Sequence, residues 1–192
     1  MTAWTLSLDA WIVQDGNYGD FARGRQIEVA VEAWGVEAWD FSELRPVDAP
    51  AVGATPVEAD VYDVVGRIVV VEPALVLDVG ILVFSEAPAP AAPGTVVAGR
   101  IGLGVDPFMY FERLAKDDRM PPLIYTWRID RILLETTPWV ESAPRTFERA
   151  ADATWSEVAA TDAWEDDSGS ASYLLECVLL DIEPKRRSAT AA

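Results

Sequence analysis

The pattern of hydrophobic and polar positions along the chain predicts a protein built mainly from β-strands. Alternation with a period of two is typical of a half-buried strand, and a continuous apolar run is typical of a strand covered on both faces. At least seven segments show one pattern or the other: residues 4–13, 26–34, 57–72, 75–85, 95–105, 123–135 and 172–182. This favours a fold with less than a quarter of its residues in helices.

Three consecutive strands, residues 57–72, 75–85 and 95–105, form the centre of the predicted fold. The apolar positions of the first strand change face midway, which predicts a β-bulge near Asp63 or a strand that leaves one sheet and enters another. Glycines recur inside these strand patterns. Because glycine permits bends in a strand, their repetition favours a strongly curved sheet and hence a barrel.

The remaining segments are shorter or less regular. The pattern predicts an antiparallel hairpin of residues 4–13 and 26–34, and a helix over residues 107–116 with Asp106 as its N-cap. Residues 146–164 fit either a helix or a strand. The other predicted features are a short strand at 36–41, a loop at 44–55 and a flexible tail at 184–192.

From residue 57 onward, the predicted order is three strands, a short helix and two strands. This order resembles the OB-fold, a five-stranded Greek-key barrel with a helix between its third and fourth strands. The resemblance covers residues 57–182 and rests on element order. It implies an all-β protein with minor α content: an OB-like barrel with an added N-terminal hairpin, in a single domain of residues 1–183. A sandwich of two sheets is the alternative.

The charge of the chain limits its partners. There are 32 acidic and 15 basic residues, which gives a net charge of -17. Such a charge repels polyanions, so nucleic acid is not an expected partner. The charge is compatible with a basic protein partner, or with no role beyond solubility.

The composition also excludes several chemistries. The chain has no histidine, which excludes Ser-His-Asp triads and every histidine-containing metal site. Its single cysteine, Cys177, lies in an apolar run and is expected to be a buried, inert thiol. The first residues lack a secretory signal, and no apolar stretch reaches the ~20 residues that a membrane span needs. We therefore expect a cytoplasmic protein.

Two sets of polar residues within the predicted fold invite a functional interpretation. Residues 15–20 carry oxygen ligands at alternate positions, as calcium loops do, but glycine stands where such a loop needs its third ligand. A plain turn without metal or cofactor is the prediction.

Asp78, inside an apolar strand, is expected to pair with Arg67 or Arg100, and Arg128 with Asp130 at the surface.

The densest acidic cluster lies near the end of the chain. It comprises Asp162, Glu165, Asp166 and Asp167, with Trp164 among them. A tryptophan next to several carboxylates resists full burial, and an exposed aromatic ringed by charges is typical of interface residues. We interpret these five residues as a candidate protein interface. An acidic hairpin turn without a role is the alternative.

Three functional hypotheses remain. The first is a non-catalytic interaction module, such as an inhibitor or immunity protein, that recognises a basic protein. The second is an OB-like binder of oligosaccharide or nucleic acid. The third is a metal-dependent enzyme that uses carboxylates, which at least three carboxylates converging in one pocket would support. No catalytic residue is predicted.

Overall fold

The structure is a computed structural model, and it describes residues 3–35, 44–49 and 51–186. Half of the residues are in strands and 9% in helices, which confirms the predicted all-β fold with minor α content. Within the described residues, no helix is both long and apolar enough to cross a membrane.

Strands occur along the whole described chain, and the helices are short. The strands are β1 (Ala3–Asp9), β2 (Gln26–Val29), β3 (Val31–Gly35), β4 (Arg45–Pro46), β5 (Gly53–Glu58), β6 (Val61–Val70), β7 (Leu75–Asp78), β8 (Leu82–Ser85), β9 (Val96–Val105), β10 (Tyr125–Glu135), β11 (Trp139–Ala143), β12 (Thr146–Arg149), β13 (Trp155–Val158) and β14 (Ser172–Leu179). The α-helices are α1 (Ala10–Gln14) and α2 (Met109–Glu112), with 3-10 turns at Leu114–Lys116 and Asp166–Gly169.

Five strands close into a mixed barrel. Strand β6 pairs with β7, β7 with β8, β8 with β3, β3 with β9, and β9 again with β6. All of these pairings are antiparallel except that of β3 with β8, where Glu32 lies opposite Phe84. The barrel therefore takes four strands from residues 61–105 and its fifth from the N-terminal part of the chain.

The remaining strands extend the sheet away from the barrel. Strand β1 lies between β9 and β14, and β10 lies between β14 on one edge and β2 and β13 on the other. Trp127 on β10 is fully buried and meets Trp4 edge-on, with ring centres 6.4 Å apart. Trp4 in turn packs on Tyr62 of the barrel at 5.5 Å. This chain of aromatic contacts joins the extension to the barrel in one hydrophobic core.

The predicted strands 57–72 and 75–85 are each divided by a turn. The chain reverses at Ala59, whose φ of 44° is left-handed, and β5 then pairs with β6. It reverses again at Gly80, with a φ of 100°, so that β7 and β8 form a hairpin. The change of face in the first segment is thus caused by a turn and not by a bulge near Asp63. The prediction for residues 95–105 is confirmed by β9.

The predicted N-terminal hairpin is not formed. Strand β1 pairs with β14 and β9, β2 pairs with β10, and β3 pairs with β9 and β8. The predicted extent of the barrel, residues 57–182, also differs from the ring. Strands β10 and β14 lie outside it, and the place expected for one of them is taken by β3. The short helix α2 follows all five barrel strands in the sequence, whereas the predicted order has a helix between the third and fourth strands.

Of the two alternatives for residues 146–164, helix or strand, the structure has strands, β12 and β13. Several smaller predictions are corrected: the predicted loop 44–55 contains β4 and the start of β5. The helix predicted over 107–116 is reduced to α2 and a 3-10 turn. In the predicted tail, Lys185 exchanges backbone hydrogen bonds with Ile124. The predicted strand 36–41 and residues 187–192 lie outside the described residues.

Candidate functional site

The predicted acidic cluster lies in the connection between β13 and β14, where the chain enters the 3-10 turn Asp166–Gly169. The side chain of Trp164 is 65% exposed. Asp162 and Glu165 are exposed as well. The cluster therefore presents an aromatic ring and at least two carboxylates to solvent, as an interface would require.

The other two carboxylates of the cluster, Asp166 and Asp167, bind groups within the protein. Asp166 accepts hydrogen bonds from the Tyr173 hydroxyl at 2.8 Å and from the backbone N–H of Asp162 at 3.1 Å. Asp167 forms an ion pair with Arg149 and accepts a hydrogen bond from the indole N–H of Trp139 at 3.1 Å. Both are only half-buried, but each carboxylate binds groups of the protein itself, so both have a structural role that the sequence did not reveal.

Arg149 and Trp139 belong to a hairpin, β11–β12, that forms its own two-stranded sheet. The Arg149 guanidinium lies 4.2 Å from the centre of the Trp139 ring, a cation–π contact. The hairpin exposes 48% of Trp139 and 59% of Phe147. A lone two-stranded hairpin is marginally stable in water. The contacts of Trp139 and Arg149 with Asp167 attach this hairpin to the connection that carries the acidic cluster. We call Trp139, Phe147, Asp162, Trp164 and Glu165 the acidic–aromatic surface.

Asp20, at the end of the loop of residues 15–20, binds the connection that carries the acidic cluster. Asp20 accepts hydrogen bonds from the Thr161 hydroxyl at 2.9 Å and from the backbone N–H of Ala163 at 3.1 Å. Asp15 accepts one from the Asn17 amide at 3.3 Å, in a separate contact. Gln14 adds bonds to the carbonyls of Ala163 and Gly169. In the described part of the chain, no three His, Cys, Asp or Glu side chains are grouped so that they could hold a metal ion.

The predicted ion pairs are partly confirmed. Arg128 and Asp130 pair at 2.7 Å on β10. Asp78 instead accepts a hydrogen bond from the backbone N–H of Gly80 at 3.0 Å, and this bond shapes the β7–β8 turn. Arg100 pairs with Asp63, and Arg67, although it lies opposite Asp78 on β6, donates to the carbonyl of Gly94. Among the described residues, the expected ion pair of Asp78 with an arginine is therefore not formed.

A second site, which sequence reasoning missed, is a cleft where β1, β3 and β9 meet α1 and α2. Its volume is about 280 Å³. Three aromatic and three acidic side chains line it: Trp11, Trp34, Phe108, Asp9, Glu32 and Glu86. Three carboxylates thus converge on one cleft, but they are not among any group of described residues that could hold a metal ion.

The pairing of β3 with β9 explains how the cleft is built. Trp34 lies opposite Gly102, and Glu32 lies opposite Gly104. A Cβ atom on Gly102 would lie only 2.1 Å from the Trp34 ring, so glycine is what allows the indole to rest on the strand. A Cβ atom on Gly104 would lie 2.8 Å from the hydroxyl of Ser7. The two glycines therefore make room for one wall of the cleft.

The pKa of Glu32 in the cleft and that of the neighbouring Asp106 are both raised. Burial, followed by the negative charges of Asp106 and Glu86, raises the pKa of Glu32 from 4.5 to about 7. Asp106 is fully buried and accepts hydrogen bonds from the N–H groups of Tyr110 and Phe111 at the start of α2. Burial raises the pKa of Asp106 to about 6 in spite of these bonds.

Asp60 adds a further buried carboxylate behind the cleft. It is only 8% exposed, and its Oδ2 atom has no hydrogen-bond partner among the described residues. Burial raises the pKa of Asp60, a hydrogen bond from Ser7 opposes that effect, and the charge of Asp9 reinforces it. Both Ser7 and Asp9 line the cleft.

A signal for this site exists in the sequence. Glu32 and Trp34 lie on the same face of a predicted strand, and Gly102 and Gly104 share one face of another. Alternation alone does not reveal that these two faces meet, because β3 and β9 are about 70 residues apart along the chain.

Comparison of the chain with protein-family models, with curated proteins and with solved structures finds no match.

Proposed function

We propose that this protein is a non-catalytic interaction module, of the inhibitor or immunity type, that binds a basic protein through the acidic–aromatic surface. The observation that carries the proposal is the 65% exposure of Trp164 between the exposed carboxylates of Asp162 and Glu165. A large exposed ring offers apolar contact area, and nearby charges steer a partner of opposite charge.

Two further observations support the proposal. The hairpin β11–β12 adds the exposed rings of Trp139 and Phe147, and it is tied to the acidic loop by the ion pair of Arg149 with Asp167. The net charge of -17 also repels acidic partners and favours basic ones. We propose that this interaction takes place in the cytoplasm. The chain has a single cysteine, which is buried as a free thiol, and disulfides are rare in that compartment.

The experiment begins with capture of basic proteins from host extract on the immobilised protein. Each captured protein is then purified, and its affinity is measured for the wild type and for Trp164→Ala. Loss of an interface hot spot costs about 2 kcal/mol or more, so we expect the affinity to fall about 30-fold. The melting temperature of Trp164→Ala should stay near that of the wild type, because the ring is mostly in solvent.

The matched control is Ile182→Ala, which removes an apolar side chain that is 72% exposed and lies outside the acidic–aromatic surface. It should leave the affinity unchanged. A double variant, Asp162→Asn with Glu165→Gln, should mainly slow association, and less so at high salt. The proposal fails if no basic protein binds, if both alanine variants weaken binding equally, or if the loss of affinity follows a loss of folding.

A further inference from the structure

We propose that the cleft between β1, β3 and β9 binds an organic cation, with an alkylammonium group held between the indole rings of Trp11 and Trp34 and the carboxylate of Glu32. This site goes beyond the proposed function and needs no protein partner. The size of the cleft, its aromatic walls and its acidic lining all favour such a ligand.

The size of the cleft selects a small ligand. Its volume of about 280 Å³ lies just below the range of ~300–1,000 Å³ that is usual for sites of drug-sized molecules. A cleft of this size accommodates a single head group.

The aromatic walls select a cation. The face of an indole ring attracts an ammonium group, and surrounding rings are the usual means of holding quaternary ammonium compounds. Trp34 is placed by its contact with Gly102. Trp11 is placed by α1 and meets the ring of Phe108 edge-on, with centroids 6.3 Å apart. Trp11 is 47% exposed, so its ring remains accessible from solvent.

The charge of the cleft selects a cation as well. Arg113 pairs with Glu86, whereas no ion pair with Asp9 or Glu32 is formed within the described residues. Behind the cleft, burial raises the pKa of Asp60, whose Oδ2 atom has no hydrogen-bond partner among the described residues. Asp9 and Glu86 are exposed at the mouth of the cleft, whereas burial makes Glu32 costly to ionise, and a bound cation would offset that cost.

The same geometry predicts how binding depends on pH. Burial is the main cause of the raised pKa of Glu32, and the negative charges of Asp106 and Glu86 raise it further. Asp9 also lines the cleft. Without a ligand, Glu32 keeps its proton up to about pH 7. A bound cation favours the ionised carboxylate, so binding releases this proton, and affinity should rise with pH through the same range.

The test uses choline and its neutral isostere, 3,3-dimethylbutan-1-ol, which differ by the charge of one central atom. Each is titrated into the protein at constant ionic strength, and binding is followed by tryptophan fluorescence and by calorimetry. We expect saturable binding of choline alone, about tenfold tighter at pH 8 than at pH 5.5. Glu32→Gln and Trp11→Ala should each weaken it by at least about tenfold, and Glu58→Gln, an exposed carboxylate on β5, should leave it unchanged.

Four results would overturn the proposal: no saturable binding of choline, equal binding of the neutral isostere, displacement of choline by millimolar Mg²⁺ or Ca²⁺, or unchanged affinity in both Glu32→Gln and Trp11→Ala. Circular dichroism of each variant shows whether a loss of binding comes from a loss of folding. If Trp11→Ala does not fold, the comparison of choline with its isostere on the wild type still decides the outcome.

Discussion

The raised pKa of Glu32 makes the stability of the protein depend on pH in a specific direction. In the unfolded chain, the carboxyl ionises near its ordinary value of 4.5, whereas in the folded protein it ionises at about 7. Between these values, the folded state holds a proton that the unfolded state has lost. Stability therefore falls as the pH rises through this window, and the loss is complete above about pH 7.

The size of the effect follows from the shift. A tenfold change in proton affinity corresponds to about 1.36 kcal/mol, so a pKa raised from 4.5 to about 7 corresponds to about 3 kcal/mol at most. In Glu32→Gln the side chain keeps its shape and cannot ionise. The variant should therefore be about 2–3 kcal/mol more stable than the wild type at pH 8, and the difference should shrink toward zero near pH 4.5.

Urea unfolding at several pH values between 4.5 and 8, followed by tryptophan fluorescence, measures this difference directly. Asp106 titrates in both proteins, so most of its contribution cancels when the two curves are subtracted. Glu58→Gln, on the exposed edge strand β5, is the control and should give a small difference that does not vary with pH. A constant difference between Glu32→Gln and the wild type from pH 5 to 8 would show that Glu32 is not desolvated, and the reasoning would fail.

Three further predictions concern other parts of the molecule. Gly102→Ala should lower the free energy of urea unfolding by about 1–3 kcal/mol, because its new methyl group would meet Trp34, whereas Gly53→Ala, which meets nothing within 4 Å, should have little effect. Cys177 is fully buried and its pKa is raised to about 12 by burial, so it should react with thiol reagents at pH 8 only after unfolding; labelling of the folded protein would contradict this. The protein should show no mobility shift of single- or double-stranded nucleic acid at physiological salt, and a salt-sensitive shift at micromolar protein would be evidence against the charge argument.

The sequence predicts the strands of this fold better than their turns and pairings. The alternation of residues 95–105 identifies β9 because one face of that strand meets the core. The reversal at Ala59 carries neither glycine nor proline, so the pattern continues through it as if one strand were present. The partner of β3 depends on contacts with residues far along the chain, and a period of two has no information about them.

The same distinction applies to the candidate sites. The exposure of Trp164 agrees with the expectation from its charged neighbours, which are local in sequence. The different roles of Asp166 and Asp167 could not be predicted, because they depend on Tyr173 and Arg149, which other elements bring into contact. The cleft at Glu32 was missed for the same reason, since its walls come from four separate segments.

The position of β1 has a consequence for how the chain folds as it is synthesised. Residues 3–9 pair along their whole length with residues 172–178, so β1 leaves the ribosome long before its main partner, β14, has been synthesised. Until then, one edge of β1 has no strand beside it, and contacts between such distant residues form slowly because a long loop must close. We expect the barrel strands of residues 61–105, whose partners are mostly near neighbours, to assemble first. The sheet should be completed only after β14 has been synthesised, and a chain that ends before β14 should expose β1 and aggregate.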